Sequence, residues 1–299
     1  MELDAAEDHL LKGMVRPREL SVSHREALKV AVPRSLSEVR AVGLDTNVLK
    51  ALRRELAFAE ELFVTLGLSN VAIIAPSQVI TEFWNNHETF SKEEWNGFQS
   101  DLSGLKRRLA KGTLPGYNQD LIGEIEALVD KVSDGLEDTK TPAHLQKSVD
   151  LIQSLLERAT VPQVSRVRFA EIASVRLFNK TPPGFEDEKD KTAAGGDFYA
   201  WCDFMLGALC VEPEAERAQY LLITNELKAD WKSGGRGHPA LVEEFHSLCG
   251  GQLSILTLSE LRKLLKDNEA TLGASTGSAA SADDSPSSPA GAEEGVVAE

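Results

Sequence analysis

Four carboxylates stand where apolar runs of this chain give way to polar ones. Asp45 closes the run AVGL in GLDTNVL, and Glu82 lies six residues past Pro76 in APSQVITEFWNN. Asp197 follows two glycines in AAGGDFYAW, and Glu226, with Asp230 behind it, comes just after YLLIT in TNELKADW. Each has an ordinary reading. Asp45 and Asp197 are favoured caps for the helices they precede, and Glu82 reads equally as a solvated helix residue. Taken together, however, four separate segments deliver an acid to one kind of place. Carboxylate oxygens in such number suit a hard divalent cation. The His and Cys residues form no grouping with zinc spacing.

The elements that must position these acids are short apolar runs alternating with helical patterns. RAVGLD (40–45), VAIIAP (71–76), YLLIT (220–224) and QLSILTL (252–258) read as buried strands. Helices are expected through VLKALRRELAFAEELFVTLG, SQVITEFWNN and LVEEFHSLC. Strands apolar on both faces and separated by helices predict an α/β fold with a parallel sheet between helical layers. Ligands of such sheets bind beyond the carboxyl ends of the strands, where Asp45 and Thr224 fall. Between the second and third strands, SKEEWNGFQSDLSGLKRRLAKG, DLIGEIEALVDKVSDGLED and PAHLQKSVDLIQSLLERA carry apolar residues at helical spacing. They predict a helical insertion over 87–165, either a substrate-clamping arm or an enlargement of the core.

The domain organisation expected is a helical or irregular segment over 1–38, a domain over 39–268, and an acidic tail over 269–299. The folded part should begin near Leu20 and end near Asn268. The tail is rich in Ser, Ala, Gly and Pro, a composition that predicts disorder. The first twenty residues mix acids and bases and do not read as a secretory signal. No apolar run is long enough for a membrane helix, and three scattered cysteines make no disulfide framework. A cytoplasmic setting is expected.

The net charge of −15 argues against a general nucleic-acid coat. An acidic protein binds phosphates only where cations reverse the local field. There is no GxxxxGK[ST] loop for a nucleotide. Asn47 stands where an aspartyl-nucleophile phosphatase would place its second Asp.

In order, LDTNVL (44–49), SQVITEFWNN, Arg176 with PPGFEDEKDK (182–191), GGDFYAW (195–201) and LLITNELKADW resemble the PIN-like nuclease domains. The resemblance is to the branch with a Pro-Pro-Gly-aromatic-x-Asp-x-x-Lys stretch, and it runs from about residue 40 to 231. It implies a PIN-like three-layer sandwich and a pocket for Mg²⁺ or Mn²⁺. The metal-binding and catalytic acids carry over to Asp45, Glu82, Asp197 and Glu226, with Asp230 a further metal-binding acid. Asp187 also falls on the motif. Glu226 departs from the family's usual Asp, and its longer arm would shift the second metal. Two such ions, roughly 3.5–4 Å apart, promote in-line displacement at phosphorus. Thr46, Asn47, Thr224 and Asn225 would orient water or phosphate, and Arg176, Lys189 and Lys191 would contact phosphates. A structural ion pair is the other reading of Arg176. Lys106, Arg107, Arg108 and Lys111 read as a solvated helix face or a strand-holding patch. The expected activity is metal-dependent phosphodiester hydrolysis, of RNA ahead of DNA and as an endonuclease. The alternative is an inactive PIN-like module that binds nucleic acid or protein. Homo-oligomers are compatible with either.

Overall fold

A computed structural model describes residues 1–16, 25, 29, 32–110, 119–135, 143–186, 195–212 and 219–267. The run VRAVGL forms the central strand β1 (Val39–Leu44), buried along its whole length. It pairs in parallel with β2 (Ala72–Ile74) on one side and β4 (Gln219–Ile223) on the other. A two-residue strand β3 (Ala159–Thr160) adds to β2, and β7 (Gln252–Leu256) adds to β4. The sheet is therefore five-stranded and parallel, in the order β3-β2-β1-β4-β7. A separate small ribbon pairs β5 (Lys232–Ser233) with β6 (Arg236–Gly237).

Alternation along the strands sends apolar side chains into two cores. Val42, Leu44, Leu221 and Ile223 enter one, while Ala41, Tyr220 and Leu222 enter the other. Neither face can be left to water, so helices cover both. The first face receives α2 (Thr46–Arg54), α3 (Leu56–Leu68), α6 (Ala143–Leu156) and the closing helix α10 (258–267). The second receives α1 (Leu3–Val15), α7 (Arg166–Phe178), α8 (Gly196–Cys210) and α9 (Pro239–Cys249). The expected three-layer α/β sandwich is what forms. Among the described residues no helix is long and apolar enough to cross a membrane.

Several expectations need correction. The helix read continuously through 48–67 breaks into α2 and α3 at Glu55, whose backbone turns to φ −131°, ψ 60°. The folded part reaches back to Leu3, not Leu20: Ala6 and Leu10 of α1 are fully buried against the second core. Strand β3 was missed because two residues carry no periodicity. The helix begun by SQVITEFWNN does not stop there, and α4 runs unbroken over Ser77–Ala110. Of the segment expected as an insertion, α6 is core: Leu151, Ile152 and Leu155 pack beneath the sheet, and buried Arg53 donates to Ser148 at 2.8 Å. α4 enters the first core with Val79, Phe83 and Phe90, and its stretch beyond Phe90 forms an arm with α5 (Gln119–Gly135). The expected tail over 269–299, together with Asp187, Lys189, Lys191 and Lys111, lies outside the described residues.

Candidate metal and active site

Asp45 follows the last residue of β1, and its N–H still donates to Ile223 O across the strand ends. It caps α2. Oδ1 accepts from the backbone N–H of Thr46 at 2.7 Å, and Oδ2 accepts from the buried hydroxyl of Thr224 at 2.7 Å, just beyond β4. The Thr46 hydroxyl donates to Glu82 Oε2 at 2.9 Å, so one threonine joins the first acid to the second. Glu82 Oε1 accepts from Gln78, one turn back on α4, at 3.0 Å.

Asp197 sits in the first turn of α8, where the helix dipole favours a negative charge. Its Oδ2 accepts from the indole of Trp231 at 3.1 Å. The helix start lies tight against Glu82: a Cβ on Gly196 would meet Glu82 Oε1 at 2.5 Å. Gly196→Ala should therefore displace the Glu82 carboxylate, not the fold, because the obstructed atom ends a flexible side chain. Any metal-dependent cleavage should fall about 10- to 100-fold with thermal stability nearly unchanged; full activity in that variant would remove Glu82 from the site.

Glu226 is close enough for its charge to act on Asp45. Its own carboxylate folds back, accepting from Leu227 N at 3.0 Å and lying 3.4 Å from Lys228 Nζ. Burial pushes the Asp45 carboxyl up to about 6, against hydrogen bonds from Thr224 and Thr46 that lower it. The negative charges of Glu82 and Glu226 add to the rise. A small pocket opens beside these groups, with Asp45, Thr224, Ala200 and Trp231 in its wall.

Other residues singled out from the sequence stand differently. Asp230 is fully buried, and its Oδ2 accepts from Gly184 N at 2.8 Å and Glu186 N at 3.4 Å, holding the Pro-Pro-Gly turn. Its Oδ1 is buried without a hydrogen-bond partner. Gly184 in turn lies against Asp197, where a Cβ would meet the aspartate's own Cβ at 3.2 Å. Arg176 is not open to a phosphate. Its guanidinium is buried, makes a two-pronged pair with Glu244 at 2.7 and 3.0 Å, and donates to Pro182 O. The structural reading is the one the fold adopts, because Glu244 also accepts from the buried Trp201 indole and needs a cation beside it. Asn47 and Asn225 act as fasteners: Asn47 Oδ1 accepts from Asn225 N at 3.0 Å, and Asn225 Oδ1 from Leu258 N at 3.1 Å. Lys106 pairs with Asp130 on the arm.

The sequence pattern did not mark Gln78 or Trp231. Gln78 precedes Glu82 by one helical turn, a spacing that could have revealed it. Asp203, six residues after Asp197, holds Val164 N and Gln78 N and is gripped by both guanidinium nitrogens of Arg166.

Among the described residues no three His, Cys, Asp or Glu side chains gather closely enough to hold one metal ion. The donors nonetheless fit a hard cation of the Mg²⁺ type, which takes one or two carboxylates and completes its shell with water and substrate oxygens. Asp45, buried with the charges of Glu82 and Glu226 acting on it, is a carboxylate that a cation would relieve, and Asp230 Oδ1 is a second buried oxygen without a partner.

An open parallel sheet with helices on both faces and an aspartate at the carboxyl end of its central strand defines an α/β sandwich. The family profile described as "PIN like domain" matches residues 41–243, about two thirds of the chain. The chain belongs to this PIN-like domain family. No curated protein and no solved structure matches it.

Proposed function

We propose that the protein is a metal-dependent nuclease acting on RNA, with Asp45, Glu82 and Asp197 at its centre and Glu226 and Asp230 alongside. The observation that carries this reading is geometric: at the carboxyl end of β1, Thr46 bridges the Asp45 and Glu82 carboxylates, and Thr224 holds Asp45 from just beyond β4. Burial, with the nearby charges of Glu82 and Glu226, raises the hold of Asp45 on a proton. A charge held there is costly unless a cation uses it. Asp45 and Glu82 would hold Mg²⁺ or Mn²⁺, which when bound supplies charge neutralisation at phosphorus and a more acidic water. Thr46 and Thr224 fix the carboxylates by donating to them, so that they are held in place before a substrate arrives. Lys189 and Lys191, from the segment following the Pro-Pro-Gly turn, would meet substrate phosphates.

The test is cleavage of a single-stranded RNA oligomer by the full chain with Mg²⁺ or Mn²⁺, against a chelated control. Activity should fall as pH drops through about 6, because protonated Asp45 competes with the cation. A flat profile between pH 5 and 8 counts against Asp45.

A second reading has its own support. Both carboxylate oxygens of Asp45 and both of Glu82 already accept hydrogen bonds, and Glu226 is turned onto its own loop. A PIN-like module that binds nucleic acid or protein without cutting would look the same. RNA binding with no cleavage at any metal concentration would favour it.

A further inference from the structure

The arm formed by α4 and α5 leaves apolar surface that its own two helices do not cover. Lys106 of α4 pairs with Asp130 of α5, which puts these two positions at the same height along the arm. Leu109 and Val129 are buried between them. Phe98 and Leu105 on α4, and Leu121 and Leu128 on α5, remain 40–65% exposed. Within each of these pairs the residues are seven apart. Each helix thus carries an apolar band wider than one neighbour can cover, the pattern of a helix that faces two partners. Two helices alone make half of a four-helix bundle.

The charges beside the band say what completes it. Three residues beyond Phe98 and Leu105 stand Asp101 and Arg108; three beyond Leu121 and Leu128 stand Glu124 and Lys131. With Lys106 level with Asp130, Arg108 lies one turn from the height of Glu124, and Asp101 one turn from that of Lys131. Over the same stretch α4 is net basic, with Lys106, Arg107 and Arg108 against Asp101. Its partner α5 is net acidic, with Glu124, Glu126 and Asp130 against Lys131. Laid over a copy of itself with the tips together, the arm places α4 on the other α5. Acid then meets base at both ends. Laid with the tips opposed, it would set basic α4 on basic α4. A patch complementary to itself is what a twofold interface requires.

We propose that the α4–α5 arm is a dimerisation element, joining two copies of this chain through an antiparallel four-helix bundle in which each α4 packs on the partner's α5. The face spans about 25 Å along two helices, roughly 500 Å² from each copy. That is below the roughly 800 Å² per partner of a standard interface, the size of a weak, reversible association.

Sedimentation of the full chain across micromolar concentrations should show twice the single-chain mass. Leu105→Glu with Leu128→Glu should give single chains that melt at the temperature of wild type diluted until it too is single, since both side chains are exposed in the monomer. Exchanging the α4 charges (Asp101→Arg with Arg108→Asp) should weaken the dimer about tenfold or more. Adding Glu124→Lys with Lys131→Glu should restore it. A wild-type chain that stays single overturns the proposal, as does a charge exchange that leaves the mass unchanged or is not rescued. Loss of RNA affinity on the α4 exchange with no change in mass would also overturn it and make the arm an RNA-holding element.

Discussion

Asp45→Asn should abolish metal-dependent cleavage, lowering the rate by about three orders of magnitude, the scale of several kcal/mol of lost charge stabilisation. The same change should make the metal-free protein more stable at neutral pH. The Asp45 carboxyl is raised to about 6 from the ordinary 3.8, so the folded state holds its proton more tightly than the unfolded chain. Stability from this group is complete below 3.8 and is lost as pH rises through 6. At pH 7 wild type therefore carries a penalty of about 2 kcal/mol, after discount for a half-buried carboxylate, that an Asn avoids. Denaturant melts in chelator should show the variant ahead at pH 7 and the difference vanishing near pH 4. Saturating Mn²⁺ should then raise the melting temperature of wild type and not of the variant. A variant that cleaves as well as wild type, or one less stable in chelator at pH 7, would remove Asp45 from the role given to it.

The largest loss of stability should come from Asp203→Ala. This carboxylate is fully buried beneath the site, accepts Val164 N at 2.8 Å and Gln78 N at 3.0 Å, and meets Arg166 with both oxygens at 2.8 Å. Removing it leaves two backbone donors and a guanidinium without their acceptor, at a cost of about 3–5 kcal/mol. For a domain of this size that lowers the melting temperature by roughly 10 °C. Asp203→Asn, which keeps one acceptor oxygen, should lose less. Activity should fall as well, because Gln78 N starts the helix that presents Glu82. Urea unfolding decides it: a change below about 1 kcal/mol would mean that the fold relaxes around the vacancy.

The two substitutions bracket what one sequence discloses. Local pattern was enough for the architecture. AVGL, AII and YLLI are apolar on both faces, and strands of that kind in a parallel sheet lie between two helical layers. The position of Asp45 followed from the same pattern, since an acid ending a buried parallel strand stands at the sheet's carboxyl edge. Glu82 and Asp197 were marked by their motif.

What the sequence left open was the partner of each charge. Arg176 and Glu244 are 68 positions apart, as Asp203 and Arg166 are 37 apart, and no periodicity connects them. A buried guanidinium and one open to phosphate have the same local neighbours in the chain. Only packing decides which carboxylate arrives, and here α9 brings Glu244 to Arg176 while the Pro-Pro-Gly turn closes over it. The same holds for β3, whose two residues become a strand only because β2 offers them an edge, and for α1, which is ordered because the second core needs Ala6 and Leu10 to close it. Short-range apolar spacing determined which segments form the layers. Long-range desolvation of charged and apolar groups determined what those layers hold together.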